Sequence, residues 1–173
     1  IQLLVDFFAD CLQAGTLPAD MNVSVTSLVH KKGFRTLLSN YRRISVCPIL
    51  YKILARCLAD ALQTALPWVL DPSQVACQEG KSCFANARYI QDLVHYTDVT
   101  DQPGLLVFAD AAAAFDRVQH TYLLHVFAAM HLPAPFIALF IVLLTNATTR
   151  VKVNGYLGSY IRLRNGVRQG CPC

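Results

Sequence analysis

Charge is scarce in this chain. Only 15% of its 173 residues are Asp, Glu, Lys or Arg, against 54% hydrophobic, the opposite of the balance that keeps a segment disordered. Acid is scarcer still. No Asp or Glu occurs from residue 21 to 59, and none follows Asp116. Long apolar runs are also missing: the richest, Pro135 to Leu144, is far below the roughly 20 residues a helix needs to cross a bilayer. Asp6 and Asp10 stand where a secretory leader would be basic and apolar, so no signal peptide is expected. The seven cysteines (11, 47, 57, 77, 83, 171 and 173) contain no Cys-x-x-Cys pair. An odd, unpatterned set suits reduced thiols in an intracellular protein, cytoplasmic or nuclear. The five histidines add no zinc-ligand spacing, and no glycine-rich turn follows an apolar run as a dinucleotide fold requires.

What is present is asymmetric. Lys31, Lys32, Arg35, Arg42, Arg43, Lys52 and Arg56 form one acid-free basic block, and six more basic residues follow from Arg117 onward. Two basic flanks around an acidic centre suit a polyanion lying across the molecule above a few carboxylates. Taken singly, each cation also suits a solvated face. The length fits one domain with a sizeable core. A start at Ile1 and an end at Cys173, together with the high apolar content, read as a piece of a longer protein.

Periodicity predicts a helix from Leu3 to near Gly15, a strand over Asn22–His30, and a helix from Pro48 to about Leu66. A loop over residues 71–82 precedes a helix from Cys83 to Tyr96, with Ala87, Ile90, Leu93 and Val94 inward. Helices over His120–Met130 and Pro135–Leu144 follow, the latter apolar all round and so buried. Arg150–Val153 and Tyr160–Arg164 then read as a hairpin about Asn154-Gly155. The reading is one α+β unit without repeats.

The stretch Leu105-Leu-Val-Phe-Ala-Asp-Ala-Ala-Ala-Ala-Phe-Asp-Arg-Val118 organises the rest. Leu105–Ala109 is predicted as a buried strand ending at Asp110. A carboxylate there would be held rigidly at a cleft, as a metal ligand should be. Asp116 reads more simply as a helix start. A phosphotransferase using Asp110 as nucleophile would want a second Asp where Ala112 stands, which weighs against it.

Several stretches, in order, resemble reverse transcriptases of the non-LTR (LINE-type) retrotransposon family. They are Val29-His30-Lys31-Lys32-Gly33, Asn40-Tyr41-Arg42-Arg43-Ile44-Ser45, Tyr51-Lys52-Ile53-Leu54, Gln74 to Ser82, Asp110 to Val118, Val153-Asn154-Gly155 and Gly166-Val167-Arg168-Gln169-Gly170-Cys171-Pro172. The resemblance implies the fingers and palm of a right-hand polymerase, with residues 1–99 mostly fingers and 101–173 mostly palm. It also implies an RNA-directed DNA polymerase, in which a primer hydroxyl attacks a deoxynucleoside triphosphate by a two-Mg²⁺ mechanism (Mn²⁺ is an alternative). RNA template, DNA primer and the remainder of a longer polyprotein (palm, thumb, an endonuclease) are the implied partners.

By the same resemblance Asp110 is the catalytic metal-binding aspartate, with the Ala111 carbonyl a further ligand. Arg42 would pack on the incoming base and reach its triphosphate, as a planar guanidinium can. Phe115 would lie under the sugar and disfavour a 2′-hydroxyl. Gln169, Gly170, Lys31 and Lys32 would complete the nucleotide site, and Gln74, Lys81 and Arg168 would contact nucleic acid. The sequence departs from the family at Arg43 (usually Pro), Ala113 (usually Lys), Cys77 and Lys81 (usually an aromatic and Arg), and Cys173 (usually Leu). The Tyr/Phe-x-Asp-Asp motif that supplies the remaining metal-binding aspartate is not among these 173 residues. The expected piece is therefore truncated before it and inactive alone. The alternative is a decayed relic that at most binds nucleic acid.

Overall fold

The computed structural model describes residues 1–76 and 78–172, so the departures at Cys77 and Cys173 lie outside the described residues. The chain divides into two compact units, Ile1–Ala59 with Ala113–Cys173, and Asp60–Ala112.

The first unit is built on a four-stranded sheet of order β2-β1-β3-β4. Strand β1 (Val23–His30) pairs antiparallel with β2 (Tyr41–Val46) and parallel with β3 (Thr148–Val153), which turns antiparallel into β4 (Tyr156–Arg162). Helices α1 (Gln2–Ala14), α2 (Ile49–Val69), α5 (His120–Ala129) and α6 (Ala134–Leu144) supply the apolar core. Cys11, Tyr51, Leu54, Leu58, Phe127 and Phe140 are buried there, and Phe140 lies 4.7 Å from Phe127 and 5.2 Å from Phe136, ring centre to ring centre. Each such side chain stabilises the fold by about 1.5–3 kcal/mol relative to exposure. Gly15 ends α1 in the left-handed conformation, as the sequence predicts.

The sheet inverts the usual polarity. The β1 residues that are buried are Ser24 and Thr26, not its valines. Both are satisfied: Ser24 Oγ donates to the Thr148 carbonyl at 3.3 Å, and Thr26 Oγ1 lies 2.9 Å from Ser45 Oγ and 2.7 Å from Thr149 Oγ1. A buried hydroxyl without such partners would be costly.

The second unit contains the C-terminal part of α2, the loop 71–82 and α3 (Cys83–Thr100), which starts at a Ser82 cap accepting from Phe84 N. Three expectations are corrected. No α3 residue is buried, so Ala87, Ile90, Leu93 and Val94 do not face a core. Leu105–Ala109 forms no strand and stands exposed, with Leu105 at 90% and Phe108 at 77%. Alternation and apolarity give a segment the capacity to pair, but regular strand structure also requires a partner. Helix α2 continues through Pro67 to Val69.

Candidate functional site

In the first unit, three separated segments close into a ring. The segment 165–171 is tied to the short helix α4 (Ala114–Arg117) by Val167 N donating to the Phe115 carbonyl at 2.9 Å. Gly166 N donates to the Val118 carbonyl at 2.7 Å, and His120 Nε2 meets the Gly166 carbonyl at 2.9 Å. Further along, Ser45 N donates to the Gln169 carbonyl at 2.8 Å, tying the same segment to β2. The ring is closed by the ion pair of Arg43 on β2 with Asp116 on α4. It encloses a cavity of about 210 Å³ floored by the Thr26, Ser45 and Thr149 hydroxyls.

Glycine is required twice in this ring. A Cβ on Gly166 (φ +82°) would lie 2.9 Å from the Phe115 carbonyl oxygen and 2.9 Å from the Asp116 Cα, and one on Gly170 would lie 2.7 Å from the Ser45 carbonyl oxygen. Backbone meets backbone at both places, so neither side can yield as a flexible side chain would.

Arg168 is 8% exposed, and its guanidinium is turned inward. Nη2 donates to the Asn22 carbonyl at 2.7 Å and to Asn22 Oδ1 at 2.8 Å, and the guanidinium lies 4.7 Å from the centre of the Tyr51 ring. Asn22 also donates through Nδ2 to the Thr145 carbonyl at 2.7 Å, linking β1 to the end of α6. The expectation that Arg168 faces nucleic acid is corrected: the residue anchors the segment 165–171 to the core. Burial pushes the Cys47 thiol pKa up while Arg168 opposes it, and burial raises the Tyr51 phenol as well, alongside the nearby Cys171 thiol. Arg168 Nε and Nη1 have no hydrogen-bond partner among the described residues. A buried cation so placed is a structural commitment and not a mobile contact.

The nucleotide-site candidates Arg42, Phe115, Gln169, Gly170, Lys31 and Lys32 lie in the first unit. Arg42 is exposed beside the Arg43 link, Phe115 is 59% exposed on α4, and Gln169 and Gly170 are in the tied segment. Lys31 and Lys32 are exposed on a turn braced by the His30 Nε2 contact to the Gly33 carbonyl (3.0 Å) and by Lys31 N donating to the Asn40 carbonyl (2.8 Å). Asp110, Ala111, Gln74 and Lys81 lie in the second unit. Asp110 and Ala111 are exposed, outside regular structure. Lys81 Nζ donates to the Pro72 and Gln74 carbonyls, each at 3.2 Å, so it closes its own loop. In the same loop Ser73 donates to Asp71 through backbone and hydroxyl, holding that carboxyl below its usual range.

Residues 29–173 match the family model described as Reverse transcriptase (RNA-dependent DNA polymerase). The chain belongs to the reverse transcriptase family. It is also 32% identical over 163 residues to the Transposon TX1 uncharacterized 149 kDa protein of Xenopus laevis, across 94% of this chain and 12% of that protein. A transposon relative agrees with the non-LTR branch that the motifs resemble, and the α+β fold agrees with a reverse transcriptase fingers–palm piece.

Enzymes of the family generally use divalent metal ions. No group of three or more His, Cys, Asp or Glu among the described residues could hold one, and Asp116, the carboxylate nearest Asp110 in sequence, is committed to Arg43. The described residues by themselves do not compose a complete metal site. Among the described residues no helix is long and apolar enough to cross a membrane.

Sequence reasoning missed Asn22 and the Arg43–Asp116 pair as parts of the site. The only signal available for the pair was the departure at Arg43 itself, a new cation standing beside Arg42.

Proposed function

We propose that this chain contributes the incoming-nucleotide and template-facing part of an RNA-directed DNA polymerase acting on RNA template, DNA primer and deoxynucleoside triphosphates. Arg42, Phe115, Gln169 and Gly170 are its nucleotide contacts, with Lys31 and Lys32 near the triphosphate and Gln74 and Lys81 toward nucleic acid. Asp110 and the Ala111 carbonyl are its contribution to Mg²⁺ (or Mn²⁺) binding. The remaining carboxylates must come from a Tyr/Phe-x-Asp-Asp motif elsewhere in a longer protein.

The observation that carries this reading is the ring. One segment, 165–171, is bonded at one end to the backbone of Phe115 and at the other to the backbone of Ser45, three residues from Arg42. A polymerase must hold groups for sugar, base and triphosphate at fixed separations, and rigid backbone ties do this better than side chains alone.

The test is primer extension. The 173-residue chain by itself is expected to extend no primer. In a protein carrying this chain with an intact downstream Asp-Asp pair, Asp110→Asn is expected to abolish extension while leaving template–primer binding within about twofold, since the loss is of a metal ligand. Extension by the isolated chain, or by the Asp110→Asn protein, would overturn the proposal.

A further inference from the structure

Two thiols of the first unit meet around one buried cation. Cys47 stands just beyond β2 and is buried, and Cys171 follows Gly170 and is half-buried. The backbones that carry them touch. Ser45 N donates to the Gln169 carbonyl at 2.8 Å, and each cysteine lies two residues beyond that bond. Cys171 Sγ donates to the Tyr51 hydroxyl at 3.6 Å, and Cys47 lies within electrostatic reach of both the Cys171 thiol and the Arg168 guanidinium. Cys47 and Tyr51 belong to one apolar cluster, and Cys171 packs against it.

Arg168 gives this cluster its chemistry. Its hydrogen bonds run to neutral acceptors, Asn22 and the Thr148 carbonyl, and Nε and Nη1 have no partner among the described residues. Among those residues no carboxylate pairs with it. A buried cation without a counter-ion favours the anionic form of whatever acid stands beside it. The acids at hand are two thiols and the Tyr51 phenol, and a thiol ionises more readily, with an ordinary value of 9.0 against 10.0. The thiolate is also the form of cysteine that reacts with oxidants.

We propose that Cys47 and Cys171 form an oxidation site, at which a peroxide converts the two thiols into one disulfide and ties segment 165–171 covalently to the end of β2. Half-buried Cys171 is the point of entry. Its thiolate attacks one peroxide oxygen, the O–O bond breaks and hydroxide leaves, giving a sulfenic acid. The Cys47 thiolate then attacks that sulfur, the S–O bond breaks and a second hydroxide leaves. The two sulfurs lose two electrons to one peroxide, and the hydroxides take up the protons the thiols gave, making two waters. Buried Cys47 needs no contact with solvent, because its reaction partner is the neighbouring sulfur. The bond would fix covalently a spacing that the Ser45–Gln169 hydrogen bond otherwise holds, and exchange with another thiol would reverse it. None of this depends on the polymerase reading.

The reduced 173-residue chain would be treated with hydrogen peroxide at mildly alkaline pH, alkylated, digested with trypsin and weighed by mass spectrometry. The expected product joins peptide 44–52, which holds Cys47, to peptide 169–173, which holds Cys171 and Cys173, at two hydrogens below their summed mass. The link should persist in Cys173→Ser, vanish in Cys171→Ser and run as a monomer in non-reducing electrophoresis. In concentrated urea it should form slower by about tenfold or more, because a loop of more than 100 residues must then close by chance. Exposed Cys57 and Cys83 report that peroxide has acted. If they are modified while the two peptides stay unlinked, the proposal falls. A link that survives Cys171→Ser, that joins separate chains, or that forms as fast in urea overturns it equally. The linked chain should unfold at a urea midpoint higher by about 1–2 M. A midpoint no higher than that of the reduced chain would mean that the bond forms only by distorting the fold, and the proposal would fail.

Discussion

Replacing Gly166 by Ala tests the ring most directly. The new methyl would lie 2.9 Å from the Phe115 carbonyl oxygen, 2.9 Å from the Asp116 Cα and 3.0 Å from the Asp116 carbonyl oxygen, at φ +82°. Left-handed backbone costs alanine about 1–2 kcal/mol, and overpacking against atoms that cannot rotate away costs about 1–3 more. Restriction of the unfolded chain returns about 0.4–1. The expected net loss is about 3 kcal/mol. Gly155 provides the control: its φ is +88°, yet nothing lies within 4 Å of its missing Cβ. Gly155→Ala should therefore cost only the backbone strain, about 1 kcal/mol after the same offset. Urea unfolding followed by far-ultraviolet circular dichroism would give both values, provided the slopes with urea match the parent's. If the Gly166 variant is no less stable than the Gly155 variant, the close approach of segment 165–171 to α4 does not exist in solution. The ring, and with it the proposed spacing of Phe115 from Arg42, would then be wrong.

The Arg43–Asp116 pair closes the ring geometrically but should contribute little energy, since its side chains are 56% and 31% exposed. A double-mutant cycle with Arg43→Gln and Asp116→Asn should give a coupling of at most about 1 kcal/mol; a value above twice that would show a desolvated pair. Arg168→Met should cost about 3 kcal/mol in thermal or urea unfolding, because Asn22 loses its buried donor, and a cost under about 1 would refute its anchoring role. Alkaline pH should destabilise the fold. Burial raises the Cys47 thiol, so the folded state keeps its proton where the unfolded state loses it. That stabilisation is complete below the ordinary thiol value of 9.0 and is lost as pH rises past it, and the raised Tyr51 phenol extends the loss beyond its ordinary 10.0. Urea midpoints measured upward from pH 7 should fall in that order, and Cys47→Ala should flatten the first part. A midpoint that rises between about pH 9 and 10 would contradict the burial of Cys47.

Much of the first unit was legible because its signals are local. Gly15 stops α1, Pro48 precedes α2, and Asn154-Gly155 turns β3 into β4. Strand β2 was read only as a motif, Asn40 to Ser45. Its residues Arg42 and Arg43 are polar neighbours, and what makes it a strand is the register with Val25–His30, a non-local fact. Arg168 was misread for a related reason. A lone arginine in a glycine-bounded segment has the composition of an exposed contact, and only the distant Asn22 and Tyr51 reveal that it faces inward.

The stretch Leu105–Val118 separates what a pattern can specify from what it cannot. Its second half was legible only as helical: Asp116 does not start the helix over residues 120–129, which Gln119 caps, but lies with Phe115 in the separate short helix α4, after a left-handed Ala113 at φ 54°. That conformation is strained for any residue with a Cβ, and ring contacts made by Phe115, Asp116 and Val118 hold the chain just beyond it. The first half has an equally clear pattern and no strand. Apolar side chains at 105–108 state what the segment would gain by burial, roughly 1.5–3 kcal/mol for each large side chain covered. They do not name the element that would cover them. The position of Asp110 is therefore specified only as far as its strand is paired. Its assignment as a metal ligand is a statement about a longer protein, in which the partner carboxylates and a partner strand would have to arrive together.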